Sequence, residues 1–259
     1  MNTTRELAAI VNRCFASGSS SGQKMKRIFN IAMTVLAASL FAGCASERDG
    51  SANWYYFGWM AEAPYAPVFH VRDTESSLGP YAEQTKTITM KDLVKMHGHP
   101  CDGLVTAACA MKVGLDVLYP DGVADRTDTG CITKNSPCYG DVAAYLTGGR
   151  IRFGTQKIDL SLGDEFILYR FSTGKAVKVS LKPGVFPAPV QALEDKIRNG
   201  KFTDEEMRTC QQIEWNYARD LLQHPLADSF DIQTLENFKW TPDLYEHLGK
   251  RGDVINKNR

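Results

Sequence analysis

Met96-His97-Gly98-His99-Pro100-Cys101-Asp102-Gly103 runs directly into the apolar stretch Leu104-Val105-Thr106-Ala107-Ala108. Two imidazoles and a thiol fall where a loop broken by Gly98 and Pro100 turns into a helix. Those side chains suit a transition metal. A thiol at a helix start is also predisposed to ionise, because exposed amides and the positive end of the helix dipole stabilise thiolate.

Working outward, the spacing predicts a helix from about Asp102 to Leu118, with Leu104, Ala108, Met111, Leu115 and Leu118 as its apolar stripe. Thr89 and Asp92 form a capping-box pattern for a short preceding helix, Met90 to Met96. Downstream, Thr127 to Thr133 reads as a strand. Ser136-Pro137 supplies an N-cap and a first-turn proline for a helix over Cys138 to Leu146. Ile151 to Leu160, Glu165 to Ser172 and Lys175 to Leu181 read as strands, the last two joined by a turn at Thr173-Gly174. Past Pro183, Pro187 and Pro189 the chain reads as helical. A helix runs from about Val190 to Arg198, and a stronger one, capped by Thr203 and Glu206, carries Met207, Cys210, Ile213, Tyr217 and Leu221. The expected class is α+β: an antiparallel sheet packed with helices, plus a helical C-terminal appendage.

Cys138, like Cys101, falls at a predicted helix start, and Asp141 shares its helix face three residues on. Convergence of the two helices would gather His97, His99, Cys101, Cys138 and Asp141 around one pocket, an N/S/O donor set for zinc or another divalent transition metal. His97, His99, Cys101 and Cys138 are the expected ligands. Cys101, Asp102 and Asp141 are the candidate catalytic residues. A lone histidine is more often a cap or a satisfied core residue; the close spacing of this pair favours a ligand. Cys109, two turns beyond Cys101, and Cys210 on its apolar stripe read as core. Cys131 is ambiguous, and His70, His224 and His247 have no neighbouring ligands in sequence.

The 259 residues are 43% hydrophobic with a formal net charge of +0. That supports one domain with a smaller appendage and gives no reason to expect nucleic acid as a partner. Lys26-Arg27, the apolar run Ile28 to Phe41 and Ala42-Gly43-Cys44 read as a secretory signal with a lipobox-like end, implying lipidation at Cys44. The run is short for a membrane span. The expected organisation is therefore a leader over 1–43, with the signal peptide at Met25–Gly43, and a tether with an aromatic-rich lead-in over 44–87. A metal-binding domain follows over 88–185 and a helical extension over 186–259. The expected location is the periplasmic side of a bacterial membrane, held by a lipid anchor. Discounting Cys14 and Cys44, five cysteines remain in a compartment that favours disulfides, and an odd number cannot all pair internally. A bound metal is one reason to keep thiols there. Trp54-Tyr55-Tyr56-Phe57-Gly58-Trp59 reads as packing, with a partner or ligand surface as the alternative.

The run His97 to Val105 resembles the signature of the formylmethanofuran dehydrogenase FmdE family. Asn135-Ser136-Pro137-Cys138-Tyr139-Gly140-Asp141-Val142 with Leu146-Thr147-Gly148 resembles its second motif, and Gly174 to Val179 its following strands. The resemblance covers roughly residues 88–185. It implies an α+β domain, a homodimer, and a pocket that typically holds zinc between the His/Cys motif and the Cys-x-x-Asp block. It also implies association with molybdenum or tungsten enzymes and with metal handling. Asp102 stands where the family commonly has proline, which adds a carboxylate beside the ion.

Three functions remain open on the sequence. The first is an exported metal-binding module serving metal or ligand binding, or assembly of a metal or redox enzyme. The second is an enzyme in which a zinc-bound water or the Cys101 thiolate acts on a small molecule while Asp102 or Asp141 handles protons. The third is a thiol–disulfide protein using Cys101 and Cys138, weakened because it leaves both histidines without a role.

Overall fold

The computed structural model describes residues 58–76 and 79–240. The leader, Cys44, the aromatic run Trp54 to Phe57 and His247 lie outside the described residues. In chain order the elements are α1 (Trp59–Glu62), β1 (Phe69–Arg72), β2 (Lys86–Ile88), α2 (Met90–His97), α3 (Asp102–Leu118), β3 (Val123–Asp125) and β4 (Thr129–Thr133). There follow α4 (Pro137–Thr147), a 3-10 turn (Ile151–Phe153), β5 (Gln156–Ile158), β6 (Glu165–Arg170) and β7 (Lys175–Leu181). The described chain ends with α5 (Ala188–Arg198), α6 (Asp204–Leu221), α7 (Leu226–Ser229) and β8 (Phe230–Thr234). The class is α+β. Among the described residues no helix is long and apolar enough to cross a membrane.

Helix α3 is the spine. Leu104, Val105, Ala108, Met111 and Leu115 are all buried, but so are Ala107, Cys109 and Ala110 between them. A helix apolar over most of its surface must be enclosed on most sides: α3 packs on β6, β7, α4 and α6 and reaches solvent at the Lys112–Asp116 pair. Gly114 makes the approach to the sheet close: a Cβ there would lie 2.6 Å from Leu168 Cδ1 and 2.8 Å from Val179 Cγ2. Cys109 and Cys210 are core residues, at 0% and 1% exposure.

The larger sheet has the order β5-β4-β6-β7-β8, and the smaller one β2-β1-β3. Both are mixed rather than purely antiparallel, since β4 runs parallel to β5 and β1 to β3. The reason is topological. A strand that returns to its own sheet through a helix comes back in the same direction, and α4 is that crossover between β4 and β5. Ile151 to Leu160 is not one strand. The Arg150 carbonyl accepts from the Phe153, Thr155 and Gln156 amides, and Gly154 at φ +63° closes the turn, so that only Gln156–Ile158 is left to pair. The C-terminal extension is not wholly helical either: β8 pairs with β7 in register Val179↔Ile232, and α6 packs on α3.

Candidate metal centre

Three helix ends meet at one point. His97 is the last residue of α2, and Gly98 at φ +97° turns the chain away immediately after it. Cys101 is the N-cap of α3, with extended backbone, and its Sγ accepts from the Leu104 amide at 3.3 Å. Cys138 lies at the second position of α4, behind the Ser136 cap and Pro137. The local sequence supplies each of these ends, through a left-handed glycine, a cap and a first-turn proline.

The donor atoms form a triangle. Cys101 Sγ and Cys138 Sγ are 3.5 Å apart, and His97 Nε2 lies 3.8 Å from the first and 3.7 Å from the second. All three ligand atoms fall within 4.8 Å of one another. A tetrahedral zinc ion, with Zn–S of about 2.3 Å and Zn–N of about 2.0 Å, spaces two sulfurs roughly 3.8 Å apart and a sulfur and nitrogen roughly 3.5 Å apart. The triangle therefore has the size of one face of such a tetrahedron, and two sulfurs with an imidazole are the donors zinc prefers. The residues fit the ion.

Asp141 acts through His97. Its Oδ2 lies 2.8 Å from His97 Nδ1, and the His97 side chain is only 3% exposed. A carboxylate on Nδ1 orients the ring with Nε2 toward the sulfurs, and with an ion on Nε2 it would keep the remaining ring proton on Nδ1. Replacing Asp141 by asparagine is expected to weaken metal binding roughly 10- to 100-fold, while far-UV circular dichroism stays unchanged. Competition with a chromophoric chelator measures it, and an unchanged affinity would remove Asp141 from the site.

The two sulfurs share one hydrogen bond. It stabilises Cys138 as the accepting thiolate, with help from the nearby His97 imidazole and from Ser136 against the opposing effect of burial, and lowers Cys138 to about 6. The same bond, followed by burial, pushes the Cys101 thiol up. Asp102, beside them, is raised to about 6, first by burial and then by the Glu214 carboxylate.

Three residues that the sequence did not single out fix this geometry. A Cβ on Gly103 would lie 3.0 Å from Cys138 Sγ, so the glycine lets α4 approach the first turn of α3. Tyr139, 1% exposed, stacks on Phe166 at 4.8 Å with Lys134 Nζ 4.4 Å from its ring centroid, and so anchors the start of α4. Tyr217 of α6 meets the Thr106 hydroxyl at 2.9 Å and ties the start of α3 to the C-terminal helix. Gly103 and Tyr139 lie inside the two motif stretches, but the role of each of the three depends on contacts across the fold.

Other candidates lie outside the triangle. His99 is exposed and packs its ring 4.5 Å from that of His97, but no atom of it belongs to the ligand group. Cys131 is buried, and its thiol donates to the Ile132 carbonyl at 3.8 Å. Asp102 and Asp141 supply no atom to the group. His70 faces Thr87, and His224 faces the Asp220 carbonyl. A depression of about 520 Å³ near Asp164, Lys182, Phe186 and Gln191 is lined by none of the three ligand residues.

These features define a class of protein, an α+β domain with a His/Cys/Cys centre assembled from helix ends. The family described as "FmdE, Molybdenum formylmethanofuran dehydrogenase operon" matches residues 96–231, more than half of the chain, and the chain belongs to that family. Among solved structures, the chain is similar to a tungsten formylmethanofuran dehydrogenase FmdE-like protein from Syntrophus aciditrophicus. The two are 18% identical with a TM-score of 0.40, over 57% of this chain and 72% of that one. No curated protein matches at a significant level.

Proposed function

We propose that this protein is an exported, lipid-anchored FmdE-family protein that binds zinc through His97, Cys101 and Cys138, and serves in metal or ligand binding or in assembly of a metal or redox enzyme. One observation carries the metal reading: two sulfurs and an imidazole nitrogen sit at tetrahedral spacing, and the imidazole is oriented by Asp141. Three protein ligands leave a fourth position for water, for a ligand, or for a side chain such as His99. Export rests on the basic, apolar and small-residue order from Lys26 to Cys44. A homodimer rests on the family resemblance.

A second reading makes the protein an enzyme in which a zinc-bound water acts on a small molecule. Asp102 favours it: a carboxyl between Cys101 and Gly103 in the chain is raised to about 6 in the metal-free chain by burial and by the Glu214 carboxylate, within the range of proton-transfer groups. A bound zinc would supply an activated water, and Asp102 is the residue that would exchange protons there.

Metal analysis of purified protein tests the primary reading. One zinc per chain is expected in the wild type and in His99→Ala, with loss of the metal in His97→Ala. Equal loss in both histidine variants would place His99 among the ligands, and a metal-free wild type after anaerobic zinc loading would overturn the reading.

A further inference from the structure

We propose that Cys101 and Cys138 also form a thiol–disulfide site that reacts with small disulfides, and that closing their disulfide expels the metal. The inference rests on the metal reading above and adds a reaction to it.

The geometry supports it in three ways. The sulfurs are 3.5 Å apart, in direct contact although the two cysteines are 37 positions apart in sequence. A disulfide needs them at about 2.05 Å, so each sulfur has to travel less than about 1 Å. Their polar neighbours are the Leu104 amide, His97 Nε2 and Ser136, none of which lies on the line between them, and Gly103 presents no side chain at the contact. Finally, the pair is partly exposed, whereas Cys109 and Cys131 are fully buried and Cys210 is 1% exposed. An oxidant in solution therefore meets these two thiols and no others among the described residues.

The reaction balances with a low-molecular-weight disulfide, RSSR, as oxidant. Cys138 thiolate attacks one sulfur of RSSR; the S–S bond breaks, and RS⁻ departs and takes a proton. Cys101 thiolate then attacks Cys138 Sγ in the mixed disulfide, and a second RS⁻ departs and is protonated. The two cysteines lose two electrons, RSSR gains them and becomes two RSH, and the divalent ion is released with its charge unchanged. A disulfide sulfur carries no charge to offer a cation. Oxidation thus removes both sulfur ligands, and the imidazole that is left does not hold zinc against water or buffer. The metal in turn protects the thiols, since both nucleophilic lone pairs are engaged while it is bound.

Full-length protein, reduced and loaded with zinc, is incubated with oxidised glutathione, and zinc release is followed with a chromophoric chelator beside peptide mass mapping. One zinc is expected to leave for each Cys101–Cys138 disulfide formed, with metal-free protein oxidising about tenfold faster than loaded protein. Cys101→Ser is expected to stop at a glutathione adduct on Cys138. Gly103→Ala, which keeps both thiols but displaces Cys138 Sγ, is expected to form the disulfide more slowly. If the reduced chain takes up no zinc, the metal reading and the coupling both fall. If it takes up zinc but forms no Cys101–Cys138 disulfide, or keeps its zinc after forming one, the coupling alone is overturned.

Discussion

Replacing Cys138 by serine is expected to weaken zinc binding at least about a hundredfold while leaving the fold intact. Structural zinc sites with four ligands are held by about 10–16 kcal/mol, or roughly 3 kcal/mol per ligand, and every 1.4 kcal/mol is about a factor of ten. Serine removes the better of the two sulfurs, the one stabilised as thiolate by Cys101, His97 and Ser136, and its hydroxyl does not ionise at neutral pH. The fold should survive because serine is slightly smaller than cysteine and the start of α4 is anchored by Tyr139 and Pro137 rather than by the sulfur. Isothermal titration of zinc into the reduced protein, beside circular dichroism, gives both values. Wild-type affinity in this variant would mean that the ion is held by other residues.

The second large effect is structural. Gly114→Val is expected to lower the stability of the fold by about 3 kcal/mol, and Gly114→Ala by about 1–2 kcal/mol. Alanine gains up to about 1 kcal/mol of helix propensity over glycine, but its Cβ arrives at 2.6 Å from Leu168 and 2.8 Å from Val179, both wholly buried on adjacent strands. With both neighbours enclosed in the core, α3 has to lift from the sheet. Urea unfolding should show a lower midpoint at unchanged slope. Because α3 begins with Cys101, the shift should also loosen the centre, which metal titration of the alanine variant would register. A variant as stable as wild type would show that the helix and sheet are less tightly packed than these distances state.

Helix α3 was legible to the residue, Asp102 to Leu118, because its entry carries a cap and its run is long and apolar. Both capping boxes, at Thr89 and Thr203, are present as the spacing predicts. Strands β1, β2, β3 and β8 were not legible: at three to five residues each, even the apolar/polar alternation of Phe69–Arg72 is too short to stand out from loop, and what fixes them is pairing with partners distant in sequence. The two cysteines of the centre were readable from their helix starts. Both histidines were expected as ligands; that they would be placed differently was not legible, since it depends on the left-handed turn at Gly98, which leaves one imidazole inside the last helical turn and carries the other past it. Asp141 was legible as a neighbour of Cys138, but its contact with His97 spans 44 residues of sequence and depends on how α2 meets α4.

The meeting of three helix ends has a consequence for the kind of ion the centre suits. Two of the ends are amino-terminal and favour negative sulfur; the third is carboxy-terminal and carries the imidazole that Asp141 orients. Two thiolates and a dication would sum to zero, leaving the Asp141 carboxylate, whose side chain is 39% exposed, to be balanced by solvent. Hard alkaline-earth dications are disfavoured by the sulfur itself, whereas zinc-like and cuprous ions suit it. The donors that these backbone ends gather thus select for soft ions before any partner or substrate is considered.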